Sequence, residues 1–153
     1  MFYSKVIDLI DKYYHHKRIN KFCKIYKIKI LVDVGAHKGE FISNFIKNTS
    51  IKKVYAFEPQ IDIFNHLKNK FKKKKGFILK NFAISDKNGY KKIKINRLTS
   101  TSSLSKLNKN SFFLKFKNIL IPNIDKFQKI KTKTIDKFFI NKSLGSSLLK
   151  IDV

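Results

Sequence analysis

Carboxylates, arginine, cysteine and tryptophan are the scarce residues of this chain, and each scarcity narrows what it can be. Ten Asp and Glu stand against 35 Lys and Arg, a formal net charge of +25 over 153 residues. A field of that sign suits a polyanionic partner such as RNA. Arginine, however, the residue that reads phosphate and guanine through paired hydrogen bonds, occurs only at Arg18 and Arg97. Lys, Asn, Ile and Phe are abundant together, and all four have A/T-rich codons. Compositional drift therefore accounts for the charge more simply, with a nucleic-acid-binding module as the alternative. A single cysteine, Cys23, excludes an intramolecular disulfide and fits a reducing compartment. Without tryptophan, the core falls to fifteen Phe and six Tyr alongside the aliphatics. No run approaches the roughly 18 apolar residues of a membrane span. Residues Met1–Arg18 mix charged and apolar positions with no signal-peptide pattern. The chain reads as soluble and cytoplasmic, of a length for one domain.

Phe2, Val6, Leu9, Ile10 and Tyr13 recur at helical spacing and predict an amphipathic helix reaching Ile19. Ile28–Val34 is a short apolar run of the kind buried on both faces of a parallel sheet. Phe41, Ile42, Phe45 and Ile46 then mark a helix, Val54–Phe57 a second strand, and Ile61, Phe64, Leu67 and Phe71 another helix. Phe77–Ile84 predicts a third strand. Helices alternating with strands in this way point to an α/β, Rossmann-like parallel sheet. Past the turn at Asp86–Gly89 the rhythm changes. Tyr90, Ile93 and Ile95 suit a short strand or hairpin, Leu98–Asn110 a loop, and Ile130, Thr132 and Thr134 an exposed or edge strand. Ile135–Ile140 predicts a helical turn or two, and Leu148–Val153 begins another buried strand. A chain that stops within a strand reads as a fragment or a truncated reading frame, its sheet incomplete, with a non-catalytic remnant as the alternative.

Asp33-Val34-Gly35-Ala36-His37-Lys38-Gly39 falls where a strand becomes a helix. Glycines there let the backbone approach a ligand, and the helix N-terminus offers free N–H groups. Glu58, just before Pro59, ends the next strand, where a carboxylate can accept from both ribose hydroxyls of an adenosine. Its distance from Gly35 is close to the roughly 20 residues of a Rossmann unit. Dinucleotide sites use G-x-G-x-x-G because a pyrophosphate rests on the helix. Here His37 stands where the second glycine would be, and the acid Asp33 precedes the turn. That acid would repel a pyrophosphate and attract the α-ammonium of a methionine moiety, which favours S-adenosylmethionine over NAD. The competing reading is a turn with no ligand.

With Val54-Tyr55-Ala56-Phe57-Glu58-Pro59, the glycine turn resembles the FkbM family of methyltransferases. Asn81-Phe82-Ala83-Ile84-Ser85-Asp86 with Gly89, Ser102-Ser103-Leu104, Thr134-Ile135-Asp136 and Lys150-Ile151-Asp152-Val153 follow in the family's order. The resemblance spans Ile28–Val153, which divides the chain into an N-terminal helical segment, 1–27, and a methyltransferase domain, 28–153. It implies a class I methyltransferase fold and O-methylation of a hydroxyl on a sugar or other small molecule or glycan. It implies that Asp33, Gly35, Ala36 and Gly39 line the methionine end of S-adenosylmethionine, that Glu58 binds the ribose, that Asn81 to Ala83 flank the adenine and that Asp152 lies near the methyl centre. His37 replaces the family's more frequent Asn, and both can donate a hydrogen bond.

Asp152 is the best available candidate for a general base, with a purely cofactor-contacting role set against it. Ser102 and Ser103 suit a substrate-orienting loop or plain loop filler. His15 and His16 have no further ligands to suggest a metal site. Cys23 reads as a small packed side chain. Phe112, Phe113 and Phe116 among lysines could stack bases, with core packing as the simpler role.

Overall fold

The computed structural model describes residues 17–95 and 126–152. The chain runs α1 (17–25), β1 (Ile30–Val34), α2 (Glu40–Asn48), β2 (Lys53–Phe57), α3 (Ile61–Phe71), β3 (Phe77–Lys80) and β4 (Ala83–Ile84). It continues through β5 (Gly89–Ile95), β6 (Lys126–Lys133), α4 (Ile135–Phe139) and β7 (Ser147–Ile151). The segments around Ser102, Ser103 and Phe112–Phe116, and the predicted helix before residue 17, lie outside the described residues.

Four parallel strands in the order β3-β2-β1-β7 form the main sheet. Strand alternation splits its side chains between two cores. Leu31, Val54 and Ala56 meet Cys23 of α1, Ile42 and Phe45 of α2, and Leu67 and Phe71 of α3. Val32, Val34, Tyr55 and Phe57 face the other way, against Phe82 and Phe138. Phe57 and Phe138 meet edge to face, with centroids 5.0 Å apart. Each fully buried side chain of this size contributes about 1.5–3 kcal/mol of transfer free energy. Such burial on both faces is why β1 and β2 read as mostly apolar runs, broken in β1 by the acid Asp33. Among the described residues, no helix is long and apolar enough to cross a membrane.

The predicted third strand, Phe77–Ile84, is two strands. β3 ends at Lys80, and Asn81-Phe82 carries the chain to β4 in a second sheet of order β4-β6-β5. The break is physical: the Asn81 side chain donates to the backbone carbonyls of Glu58 (2.9 Å) and Pro59 (3.1 Å), turning the chain across the end of β2. β6 is likewise no edge strand. It is the middle of the second sheet, antiparallel to β5 and parallel to β4. Its alternating Ile130 and Thr132 are buried, Ile130 in a small core with Ala83 and Ile93. The Thr132 hydroxyl donates to the Lys87 carbonyl at 2.9 Å, which satisfies a buried polar group at the Asp86–Gly89 turn.

Chain order reverses at β1. The strands that follow it step to one side, as β2 and β3, whereas β7 lies on the other. The carboxyl ends of β1 and β7 therefore flank a topological switch point, the place where open α/β sheets bind ligands.

Candidate functional site

The Asp33–Gly39 segment occupies that switch point. β1 ends at Val34, and the N–H groups of Gly35 and Ala36 both reach the Phe57 carbonyl at 3.0 Å, joining the loop to the end of β2. Gly35 has φ +79°, and a Cβ there would lie 2.0 Å from the Asp152 carbonyl oxygen. The absent side chain thus lets β1 and the end of β7 close together; the Asp152 N–H donates to the Val34 carbonyl at 2.9 Å. Gly39, at φ +70°, begins α2, and a Cβ there would strike Phe71 and Leu67 of α3. Both glycines serve backbone-to-backbone or helix-to-helix approach. α2 starts without a hydrogen bond from its N-cap, since Gly39 has no side chain, and in the first turn the Glu40 carboxylate accepts from its own backbone N–H. Ala36 is buried beneath the turn.

Glu58 is 3 % exposed, and both of its carboxylate oxygens accept backbone N–H groups. Oε2 accepts from His37 at 2.9 Å and Oε1 from Gln60 at 2.8 Å. The acid therefore clamps the glycine turn to the loop after β2, and each oxygen keeps a second lone pair. Burial pushes its carboxyl above the ordinary range, against the pull of those two N–H groups and His37. His37 itself sits at φ 49°, a left-handed conformation in which Asn, Asp and His are enriched. Its ring Nδ1 lies 3.5 Å from Glu40.

Asp33 is fully buried. Lys150 of β7 stands opposite it in register, with Nζ 3.0 Å from Oδ1. Oδ2 has no hydrogen-bond partner among the described residues. Burial pushes the Asp33 carboxyl up, Lys150 opposes that shift, and Asp152 adds to it. Asp152 is exposed at the end of β7, its carboxylate 3.5 Å from the same Lys150 ammonium.

The fold thus brings Asp33, Gly35, Ala36, His37, Gly39, Glu58 and Asp152 to one end of the sheet. Asn81 is there too, holding the loop after β2. Ala83 is buried in the second sheet's core. Three further residues take part. Lys150 pairs with Asp33, Gln60 completes the Glu58 clamp, and Lys70 of α3 donates to the carbonyls of Lys38 (2.9 Å) and Gly39 (3.2 Å). Lys150 and Lys70 come from distant segments, and one lysine among so many carries no local signal. Gln60, two residues past the acid, could have been suspected from a loop that must turn back on its carboxylate.

A shallow depression of about 530 Å³, lined by Lys53, Tyr55, Ile78, Lys80 and Phe138 among others, lies on one face of the main sheet and includes none of the turn residues. The observations that bear on a ligand at the turn are instead the orphaned buried oxygen of Asp33, the spare lone pairs of Glu58 and the uncapped start of α2. A cationic amine, a ribose and a small anionic group fit these three features in that order.

The family model described as the methyltransferase FkbM domain matches residues 33–153. No curated protein and no solved structure matches the chain.

Proposed function

The chain belongs to the FkbM family of methyltransferases, and from that premise we propose that it binds S-adenosylmethionine at the switch point and transfers the methyl group to a hydroxyl of a sugar or another small molecule. The observation that carries this reading is Glu58, a buried carboxylate held in place by two backbone N–H groups with a lone pair spare on each oxygen. That arrangement suits two vicinal hydroxyls. Asp33 Oδ2 would take the donor's ammonium, and the N–H groups at the start of α2 its carboxylate. Asn81 would hold the adenine side of the site by fixing the Glu58–Pro59 backbone, with the chain to Ala83 beside the base. The domain responsible spans 28–153, with 1–27 preceding it, and an unpaired Cys23 suits a cytoplasmic setting.

The donor supplies a methyl group on a positively charged sulfur, which is a good leaving group. The work left to the protein is alignment, which can supply about 7–11 kcal/mol of a barrier when geometry is right. An aliphatic hydroxyl is a weak nucleophile, so a positioned base helps. Asp152, an exposed carboxylate at the mouth of the turn, is the candidate to accept that proton, and Ser102 and Ser103 are candidates to orient the acceptor. The test is incubation with S-adenosylmethionine and a panel of glycosides, amines and carboxylic acids, read by mass spectrometry. Methylated glycoside together with S-adenosylhomocysteine is the expected outcome. Methylation confined to amines or acids would overturn the hydroxyl assignment, and no transfer to any acceptor would overturn the activity of this chain.

A further inference from the structure

The second sheet presents a face that the methyl-transfer site does not use. In the β5–β6 ribbon, Tyr90 pairs with Lys131, Lys92 with Lys129 and Lys94 with Phe127. Directly paired residues share a face, so these six side chains lie together on one side, while Ile93 and Ile130 fill the small core on the other. Tyr90 is 64 % exposed and Phe127 59 %, and Lys92, Lys129 and Lys131 are exposed around them. Neither strand carries a carboxylate. Lys92 and Lys129 stand directly opposite one another, an arrangement of like charges that costs stability unless an anion lies between them. Lysine on an exposed edge strand is an ordinary guard against sheet-to-sheet association. That accounts for β5. It does not account for Lys129 and Lys131, which belong to the central strand, nor for two large aromatic rings left in water. The Lys129 ammonium rests 4.7 Å from the Tyr90 ring centre, so cation and ring already form one surface.

We infer that this face of the β5–β6 ribbon binds single-stranded nucleic acid, the lysines meeting phosphates and Tyr90 and Phe127 stacking on bases. Flat rings set among cations on a sheet surface match the two things a single strand offers at every step, a charged backbone and a π face. An anionic lipid surface would supply the charge without bases to stack. The inference is independent of the donor site, because no ribbon side chain belongs to the turn between Asp33 and Gly39 or to the Glu58 clamp.

The test is fluorescence anisotropy with a short labelled oligouridylate at several salt concentrations, with unlabelled inorganic polyphosphate as a competitor that has no bases. Replacing Lys92→Gln together with Lys129→Gln should lower the slope of log affinity against log salt by about 0.7 for each phosphate that is no longer neutralised. Replacing Tyr90→Ser or Phe127→Ser should weaken oligouridylate binding by about fivefold or more for each ring, with polyphosphate unaffected. Tyr90→Phe should restore it. Lys72→Gln with Lys73→Gln, an equal loss of charge at exposed positions after α3, should change little. Because every substituted side chain is exposed, no variant should melt well below the wild type, and the Lys92→Gln, Lys129→Gln pair should melt at or above it. The inference is overturned if oligouridylate does not bind at low salt, if the Lys72 and Lys73 pair matters as much as the ribbon pair, if both serine variants bind normally, or if phosphatidylserine vesicles bind the ribbon while RNA does not. Glu58→Gln should leave oligouridylate binding unchanged, so failure here and failure of the donor site are read separately.

Discussion

Glu58 combines two tasks, clamping the glycine turn and offering the ribose its acceptors, and its protonation is coupled to folding. Burial raises its carboxyl above the ordinary value of 4.5, so the folded chain holds that proton more tightly than the unfolded chain does. The resulting stabilisation is complete below 4.5 and is lost as pH rises through the raised value. Glu58→Gln removes this titration. The stability margin of wild type over Glu58→Gln, from urea unfolding at a series of pH values, should therefore shrink as pH rises from 4.5; a margin that grows would contradict the burial. At His37 the issue is backbone conformation. With φ at 49°, Asn or Gly should be tolerated, whereas the β-branched His37→Val should cost about 1–2 kcal/mol in the same unfolding measurement. The turn itself is legible in the sequence because its residues are contiguous and its glycines sit between a strand pattern and a helix pattern.

Among elements, the least legible contact is the one that joins β1 to β7. In the sequence Asp33 stands as a free acid, yet it lies across the sheet from Lys150, and that register appears only once the strands are paired. Removing the ammonium strands a buried carboxylate. Lys150→Met should cost about 3–5 kcal/mol, and Asp33→Asn in the same chain should recover part of the loss, as measured by urea unfolding. Apolar runs identify β1, β2, α2 and α3 to within two residues, because burial against neighbours leaves a periodic trace. The same logic carries Phe77 through to Ile84 as one strand. Nothing in apolarity marks the point where Asn81 turns the backbone and the chain changes sheets. β6 misleads for a related reason: lysine at alternate positions resembles an edge, but the strand is central and its outward face carries Lys129 and Lys131 beside Phe127.

For the whole molecule, the outcome of strand order is a switch point with an acid-clamped turn on one sheet, and a basic ribbon on the other. The charge of +25 has a cost of its own, since like charges repel most in the compact state. Raising salt from about 0.01 M to 0.15 M shortens the screening length from about 30 Å to 8 Å and should raise the melting temperature. A melting temperature that falls over that range would mean that specific ion pairs, such as Lys150 with Asp33, outweigh the repulsion. Composition sets the size of the charge, but its arrangement on β5 and β6 depends on which residues share a face, and that requires the fold. The central claim, that the turn and its acid hold S-adenosylmethionine, is met most directly by isothermal titration calorimetry of that donor against wild type and Glu58→Ala. Saturable binding to the wild type, lost or weakened at least about tenfold in Glu58→Ala where hydrogen bonds to a charged acceptor are removed, is the predicted result; no binding to the wild type, or equal binding to both, would contradict it.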